Sequence, residues 1–152
     1  MIDIVEPRAE RRTMALQLGA RMAIPPQEIT SVSDMYPIAF ECSSSNKAFE
    51  LLQRKMQREG RICILSDGNI EPLTLTPTFH KKELMIVGSS DGWDYQEHAK
   101  WFFNFVSEHI PKLEELFDYQ TTADNLIATF ELLATGAIVP IKVLVYYNTD
   151  NP

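Results

Sequence analysis

The stretch Pro37–Ser66, PIAFECSSSNKAFELLQRKMQREGRICILS, decides the fold. It opens with a nearly continuous apolar run, Ile38–Cys42, which predicts a buried strand. Three serines, Ser43–Ser45, follow and favour a polar turn. A second apolar run, Arg61–Leu65, predicts another buried strand. Two such strands joined by a helix indicate a strand–helix–strand unit with parallel strands.

The segment between these strands has the periodicity of an amphipathic helix. The helix is predicted from Lys47 to about Arg58, with Ser45 or Asn46 as its N-terminal cap and Gly60 as its stop signal. The apolar side chains of one face are those of Phe49, Leu52 and Met56.

Short apolar runs alternate with helical stretches along the rest of the chain. Further strands are predicted at Ile2–Val5, Arg21–Ile24, Leu84–Val87, Phe117–Thr121 and 141–147. Further helices are predicted from Pro7 to about Leu18, from Asp94 to near Pro111 and from about Asp124 to Ala134. The connection at 67–83 is predicted to hold little regular structure. This order indicates one α/β domain over 1–152 with a doubly wound, mostly parallel, Rossmann-like sheet and helices on both faces.

The composition narrows the class of protein. The chain has 152 residues and a net charge of −7, which argues against nucleic acid as a partner. The longest apolar run is too short for a membrane helix. Cys42 and Cys63 lie in apolar runs and form no C-x-x-C pair, so both are expected to be buried, reduced thiols of a cytoplasmic protein.

One acid and two arginines at the start of the chain suggest a nucleotide site. In a doubly wound sheet, an acid after the second strand binds the adenosine ribose and disfavours the 2′-phosphate of NADP. Glu6 follows an apolar strand in this way, and Arg8 and Arg11 lie beyond it, where they could cover the adenine or pair with the acid. Glu6 is equally well interpreted as a solvated acid near a helix start. The glycine motif G-x-G-x-x-G, which brings the backbone close to a pyrophosphate, occurs nowhere in the sequence.

Four stretches, taken in order, resemble the medium-chain, zinc-type alcohol dehydrogenases. They are DIVEPRAERRTMALQLGA at 3–20, the stretch at 37–66, FHKKELMIVGSS at 79–90, and FDYQTTADNLIATFELLATGAIVPIKVLVYY at 117–147. The resemblance implies the C-terminal, NAD-binding part of such an enzyme, truncated at its N-terminus. The first strand, the glycine loop and the GroES-like catalytic domain, which carries the zinc, are then expected to be absent from this chain.

The resemblance also implies a set of cofactor-binding residues. Glu6 and Arg11 would hold the adenosine, and the pyrophosphate or nicotinamide side would be lined by Ser43, Ser44, Leu65, Ser66 and Ser89. The family often has glycine at the positions of Ser44 and Ser66, where serine adds a Cβ and a hydroxyl that NAD could still tolerate. Because the glycine loop is missing, NAD binding by this chain is expected to be weak or lost. No catalytic residue is assigned, and the alternative function is a non-catalytic interaction or dimerisation module derived from a dehydrogenase.

Metal ligands and partners complete the expectations. His80, His98 and His109 are far apart in sequence and form no zinc-binding pattern with the cysteines, so no metal site is predicted. Without a first strand, the strands at 2–5 and 38–42 would pair directly, take a strand from another chain, or leave the N-terminal part poorly ordered. The expected partners are a second copy through sheet edges or the N-terminal part of the same enzyme.

Overall fold

The computed structural model describes residues 1–33, 35–67, 71–90, 94–109 and 113–147. Their contacts divide the chain into two compact units, Met1–Tyr95 and Gln96–Pro152. The predicted helix end near Pro111 lies outside the described residues.

The first unit alternates strands and helices, as predicted, and it adds a short helix at Pro77–Lys81, inside the connection that was predicted to hold little regular structure. Its elements are β1 (Asp3–Val5), α1 (Ala9–Gln17), β2 (Met22–Ile24), a 3-10 turn (Ile29–Ser31), β3 (Tyr36–Glu41), α2 (Asn46–Lys55), β4 (Met56–Ile64), α3 (Pro77–Lys81) and β5 (Met85–Gly88). Strands β1 and β2 form a two-stranded sheet, and β3, β4 and β5 form a three-stranded sheet in that order. All of these pairs are parallel, which confirms the predicted α/β, Rossmann-like class.

Helix α2 packs on one face of the three-stranded sheet. The core of this unit consists of four apolar side chains at most 6% exposed, those of Phe49, Met56, Ile62 and Leu84. Side chains of the opposite face are more accessible: Ile38 and Phe40 on β3 are 58% and 60% exposed, and Met85 on β5 is 49% exposed.

Helix α2 ends earlier than the sequence suggests. The predicted end near Arg58, with Gly60 as stop signal, is wrong, because the helix ends at Lys55 and Gly60 lies inside β4. The Nζ atom of Lys82 donates hydrogen bonds to the carbonyl oxygens of Arg54, at 2.7 Å, and Met56, at 2.6 Å. A cation at this position stabilises the helix C-terminus, and it comes from a residue distant in sequence.

The start of α2 is also stabilised by hydrogen bonds to residues that are distant in sequence. The side chain of Ser45 makes no capping bond. Instead, Glu71 Oε1 accepts the backbone N–H of Asn46 at 2.7 Å, and Asn46 Oδ1 accepts the backbone N–H of Thr74 at 2.7 Å. The buried Gln53 side chain accepts the backbone N–H of Thr76 at 2.8 Å. Residues 71–76, directly before α3, are therefore tied to α2.

The second unit contains α4 (Tyr95–His109), a 3-10 turn (Leu113–Leu116), β6 (Tyr119–Thr122), a 3-10 turn (Ala123–Asn125), α5 (Leu126–Ala134) and β7 (Val143–Tyr146). Strands β6 and β7 are paired in parallel. The hydroxyl groups of Thr121 and Thr129 form a buried hydrogen bond of 2.8 Å that joins β6 to α5. On α4, Trp101 and Phe103 are 59% and 68% exposed.

Candidate functional site

Mostly polar side chains follow the carboxyl ends of all three strands in the larger sheet. Ser43 and Ser44 follow β3, Leu65 and Ser66 follow β4, and Ser89 follows β5. Because the strands are parallel neighbours, their carboxyl ends meet at one edge of the sheet. We call this set of five residues the rim. Ligands of open α/β sheets bind outside the carboxyl ends of the strands, so the rim lies where such a ligand would be expected.

A buried carboxylate organises the rim. Glu41, the last residue of β3, is 1% exposed. Its Oε1 accepts the backbone N–H of Ser43 at 2.8 Å and the hydroxyl of the same serine at 2.5 Å. Its Oε2 accepts a hydrogen bond from the Ser66 hydroxyl. The loops after β3 and β4 are therefore held by one side chain.

The ionisation of Glu41 follows from these contacts. Burial opposes the charged form, but hydrogen bonds from Ser43 and Ser66 favour it and outweigh the burial, so the pKa of Glu41 is lowered. A carboxylate of lowered pKa is a poor proton acceptor at neutral pH. The arrangement therefore positions the two serines and does not activate them as nucleophiles.

The loop after β3 has a second anchor. Ser44 adopts a φ of 58°, in the left-handed region, which is uncommon for a residue other than glycine. Its hydroxyl donates a 3.0 Å hydrogen bond to the carbonyl oxygen of Asp67, beyond the end of β4. This contact holds a serine in a backbone conformation that glycine adopts at no steric cost.

Glu6 lies directly after β1 and is half-buried. Its Oε1 accepts the backbone N–H of Arg8 at 2.9 Å, at the start of α1. This contact is the local role that the alternative interpretation of Glu6 predicts. The Nη1 atom of Arg12, a residue that the sequence did not single out, donates to the carbonyl oxygens of Glu6, at 2.9 Å, and Pro7, at 2.7 Å. Arg11 lies on the same helix and is half-buried.

The two sheets of the first unit meet at the amino ends of their strands. Arg21 pairs with the carboxylate of Asp3, at the start of β1. The Tyr36 hydroxyl, at the start of β3, donates a 2.8 Å hydrogen bond to Asp3 Oδ2. The hydrogen bond from Arg21 lowers the pKa of Asp3, and that from Tyr36 adds to this, against an opposing effect of burial. The structure thus brings the rim residues together, while Glu6 and Arg11 belong to the smaller sheet and its helix.

The cysteines differ from the prediction of two buried thiols. Cys42 is exposed, as are Ile38 and Phe40 on the same face of β3, and Cys63 is half-buried. Partial burial and the negative charge of Glu41 raise the pKa of the Cys42 thiol, which disfavours the thiolate. Within the described part of the chain, no three His, Cys, Asp or Glu residues lie together in a group that could hold a metal ion.

Each helix of the described residues is too short or too polar to span a lipid bilayer.

Comparisons with known proteins identify the fold. Neither a family model nor a curated protein matches the sequence. Among solved structures, benzyl alcohol dehydrogenase from Acinetobacter calcoaceticus has a similar fold, with a TM-score of 0.81 and 14% identity over 95% of this chain and 42% of that chain. An alcohol dehydrogenase from Thermotoga maritima has a TM-score of 0.77 and 15% identity over 96% of this chain and 43% of that chain.

A third similar structure contains a nucleotide cofactor. It is described as a zinc-binding dehydrogenase from Sinorhizobium meliloti bound to NADP, with a TM-score of 0.79 and 16% identity over 95% of this chain and 44% of that chain. The chain therefore has the fold of part of these dehydrogenases and spans less than half of their length.

Proposed function

We propose that this chain is the C-terminal, dinucleotide-binding part of an NAD-preferring alcohol or polyol dehydrogenase of the medium-chain, zinc type. One observation carries the proposal: polar residues follow the carboxyl ends of three adjacent parallel strands, in a fold shared with alcohol dehydrogenases. This edge is where open parallel sheets bind nucleotides.

The residues fit part of a dinucleotide. Glu6 would accept hydrogen bonds from the ribose hydroxyls, Arg11 would lie against the adenosine, and the rim would face the pyrophosphate and nicotinamide. The hydroxyls of Ser43, Ser44 and Ser66 are already held by Glu41 and Asp67, so these three side chains are positioned in advance of a ligand. The glycine loop that would cradle the pyrophosphate is not in the sequence, so affinity would be low.

The described residues orient and bind, and we assign them no proton or metal chemistry. NAD supplies the hydride acceptor of such a reaction when it is bound. Zinc ligands and the substrate pocket would come from a GroES-like domain outside this chain. We therefore expect no dehydrogenase activity from these 152 residues alone. We also propose that the protein is cytoplasmic.

An NMR titration with NADH tests the proposal. We expect a dissociation constant of about 1 mM or weaker. The amide signals of the rim residues, such as Ser66 and Ser89, should shift more than those of α5 in the second unit. Glu6→Gln should raise the dissociation constant for NADH and bring it closer to the dissociation constant for NADPH. Shifts confined to residues outside the rim and Glu6 would overturn the proposed site, and tight binding would contradict the need for a glycine loop.

A second candidate is a non-catalytic interaction module that retains a dehydrogenase dimer surface. The observation that favours it is the exposure of large aromatic side chains on α4, namely Trp101 and Phe103. Sedimentation of the chain at several concentrations tests it. Concentration-dependent dimers that Trp101→Ala and Phe103→Ala weaken would support this function, and a monomer at all concentrations would count against it.

A further inference from the structure

Strands β1 and β3 have edges that no other strand of the described residues covers. β1 pairs only with β2, and β3 pairs only with β4, in two separate sheets. At the amino ends of β1 and β3, a cavity of about 250 Å³ is lined by Met1, Asp3, Arg21, Met35 and Tyr36. We call the space between β1 and β3 the slot. Of the three alternatives that the sequence leaves open for these strands, direct pairing is therefore wrong.

The backbone groups on the β3 side of the slot can be assigned. The carbonyl oxygen of Glu41 accepts the backbone N–H of Leu65, so Glu41 directs its hydrogen-bonding groups at β4. Successive residues of a strand alternate between its two edges. The N–H and C=O groups of Ile38 and Phe40 consequently point away from β4, toward the slot.

The same argument assigns the β1 side. The carbonyl oxygen of Ile2 accepts the backbone N–H of Arg21, and the backbone N–H of Glu6 donates to the carbonyl oxygen of Ile24. Ile2 and Glu6, the residues on either side of β1, therefore face β2, as does Ile4 between them. The N–H and C=O groups of Asp3 and Val5 face the other way. Both edges of the slot thus carry unpaired backbone donors and acceptors, as exposed strand edges do.

The width of the slot suits one strand. The side chains of Tyr36 and Asp3, each the first residue of its strand, meet across it in a 2.8 Å hydrogen bond. In a sheet of the doubly wound order, the strands on either side of the central strand lie two strand spacings apart, roughly 9.6 Å. The strands β2, β1, β3, β4 and β5 correspond to positions 3, 2, 4, 5 and 6 of the doubly wound order 3-2-1-4-5-6. The slot corresponds to position 1 in the middle of the sheet, which no strand of the described residues fills. The Tyr36–Asp3 pair holds this position open at its amino end.

We propose that the slot binds one extended, apolar polypeptide segment as a parallel strand, completing a continuous sheet. Strand addition of this kind takes its affinity from main-chain hydrogen bonds and its specificity from alternate side chains. Ile38 and Phe40 are 58% and 60% exposed beside the slot, and Val5 is 41% exposed. A central parallel strand is flanked by apolar side chains on both faces, so a segment rich in valine and isoleucine fits.

The geometry favours a single segment over a second folded copy. An edge strand of a folded copy brings its own sheet and helices with it. Such a copy could pair only with a strand edge that is open to solvent. Each edge of the slot instead faces another strand at about two strand spacings. Two identical edges related by a two-fold axis would also pair antiparallel, and the slot is bounded by strands that begin at the same end.

Hydrogen–deuterium exchange with a synthetic peptide tests the proposal. The probe is a lysine-flanked peptide whose centre is Val-Ile-Val-Ile-Val, and its control has proline at the central position, which removes an N–H. At saturating probe, we expect exchange at the amides of Ile38 and Phe40, and of Asp3 and Val5, to slow by about tenfold or more. The amides of Ala39 and Glu41, which face β4, should change little, and the proline peptide should have no effect.

A matched pair of variants keeps the test decisive. Phe40→Pro removes a donor that faces the slot and leaves the β3–β4 ladder intact, so it should fold and should abolish protection of Asp3 and Val5. Ile38→Pro serves the same purpose should Phe40→Pro fail to fold. No protection, or protection of only one edge, would overturn the proposal. So would protection that grows with protein concentration without peptide, since a second copy would then fill the slot. These readouts need no dinucleotide, so the inference stands or falls independently of the proposed function.

Discussion

The hydroxyl of Ser66 donates a hydrogen bond to Glu41, so the residues that follow β3 and β4 share one buried carboxylate. The backbone and hydroxyl of Ser43 donate to the same side chain. A fully satisfied buried carboxylate fixes the loops around it, because any movement of either loop leaves a charge without partners. The shape of the rim therefore depends on Glu41.

Replacing Glu41 by glutamine should destabilise the first unit. The amide cannot accept three hydrogen bonds with the strength of a carboxylate, so we expect the free energy of unfolding to fall by about 1–3 kcal/mol. Urea denaturation measures this change. Glu131→Gln, at an exposed position of α5, is the matched control and should change stability by no more than about 0.5 kcal/mol. Equal stability of Glu41→Gln and the wild type would contradict the assigned role.

The stabilisation by Glu41 should depend on pH. Its pKa is lower in the folded protein than the ordinary value of 4.5, so its contribution is complete above that value and is lost as the pH falls through the folded pKa. We therefore expect the difference in unfolding free energy between wild type and Glu41→Gln to be constant near neutral pH and to narrow below about pH 4.5. A difference that widens on acidification would mean that the pKa is raised.

Removing the Tyr36 hydroxyl should affect Asp3. Tyr36→Phe deletes one of the hydrogen bonds that lower the Asp3 pKa, so this pKa should rise while the contact with Arg21 keeps it below the ordinary value. Carbon-13 NMR titration of the Asp3 carboxyl measures the change. Tyr147→Phe, at a position 69% exposed, should leave the titration unchanged. An unchanged Asp3 pKa in Tyr36→Phe would contradict the contact that spans the slot.

Two glycines of the larger sheet should respond differently to alanine. A Cβ on Gly60 would lie 2.8 Å from Met56 Cε and 3.0 Å from the Gln57 carbonyl oxygen, whereas a Cβ on Gly88 would have no neighbour within 4 Å. Since Met56 is fully buried, we expect Gly60→Ala to cost about 1–3 kcal/mol, and Gly88→Ala to be nearly neutral. Thermal unfolding compares them, and equal effects would contradict the close approach in β4.

Local patterns in the sequence predicted the strands and the rim. Apolar runs that end in serines placed Ser43, Ser44 and Ser66 at strand ends, because a parallel strand buried on both faces needs a continuous apolar run. The burial of Glu41 had a local signal as well, since it is the one charged residue in its apolar run. An ionised group there requires several donors, and the following serines supply them.

Contacts between residues that are distant in sequence could not be predicted from local sequence patterns. Helix α2 ends where Lys82 binds its last carbonyl groups, and it begins where Glu71 accepts an N–H, although neither residue is a neighbour in sequence. Cys42 is exposed on the same face as Ile38 and Phe40, and whether another element covers that face is not encoded in the local apolar run. The Tyr36–Asp3 contact joins two sheets, and no periodicity encodes it.

The central claim is that this chain forms an incomplete dinucleotide-binding sheet, and completing the sheet tests it most directly. A segment made of an apolar strand, a G-x-G-x-x-G loop and a helix would be fused ahead of Met1, and NADH affinity would be measured by fluorescence. Occupation of the slot would be verified by slowed exchange at the Phe40 amide. We predict that the fusion binds NADH at least about a hundredfold more tightly than the chain alone, and that valine at the second glycine abolishes the gain. A fusion that fills the slot but binds NADH no better would contradict the claim.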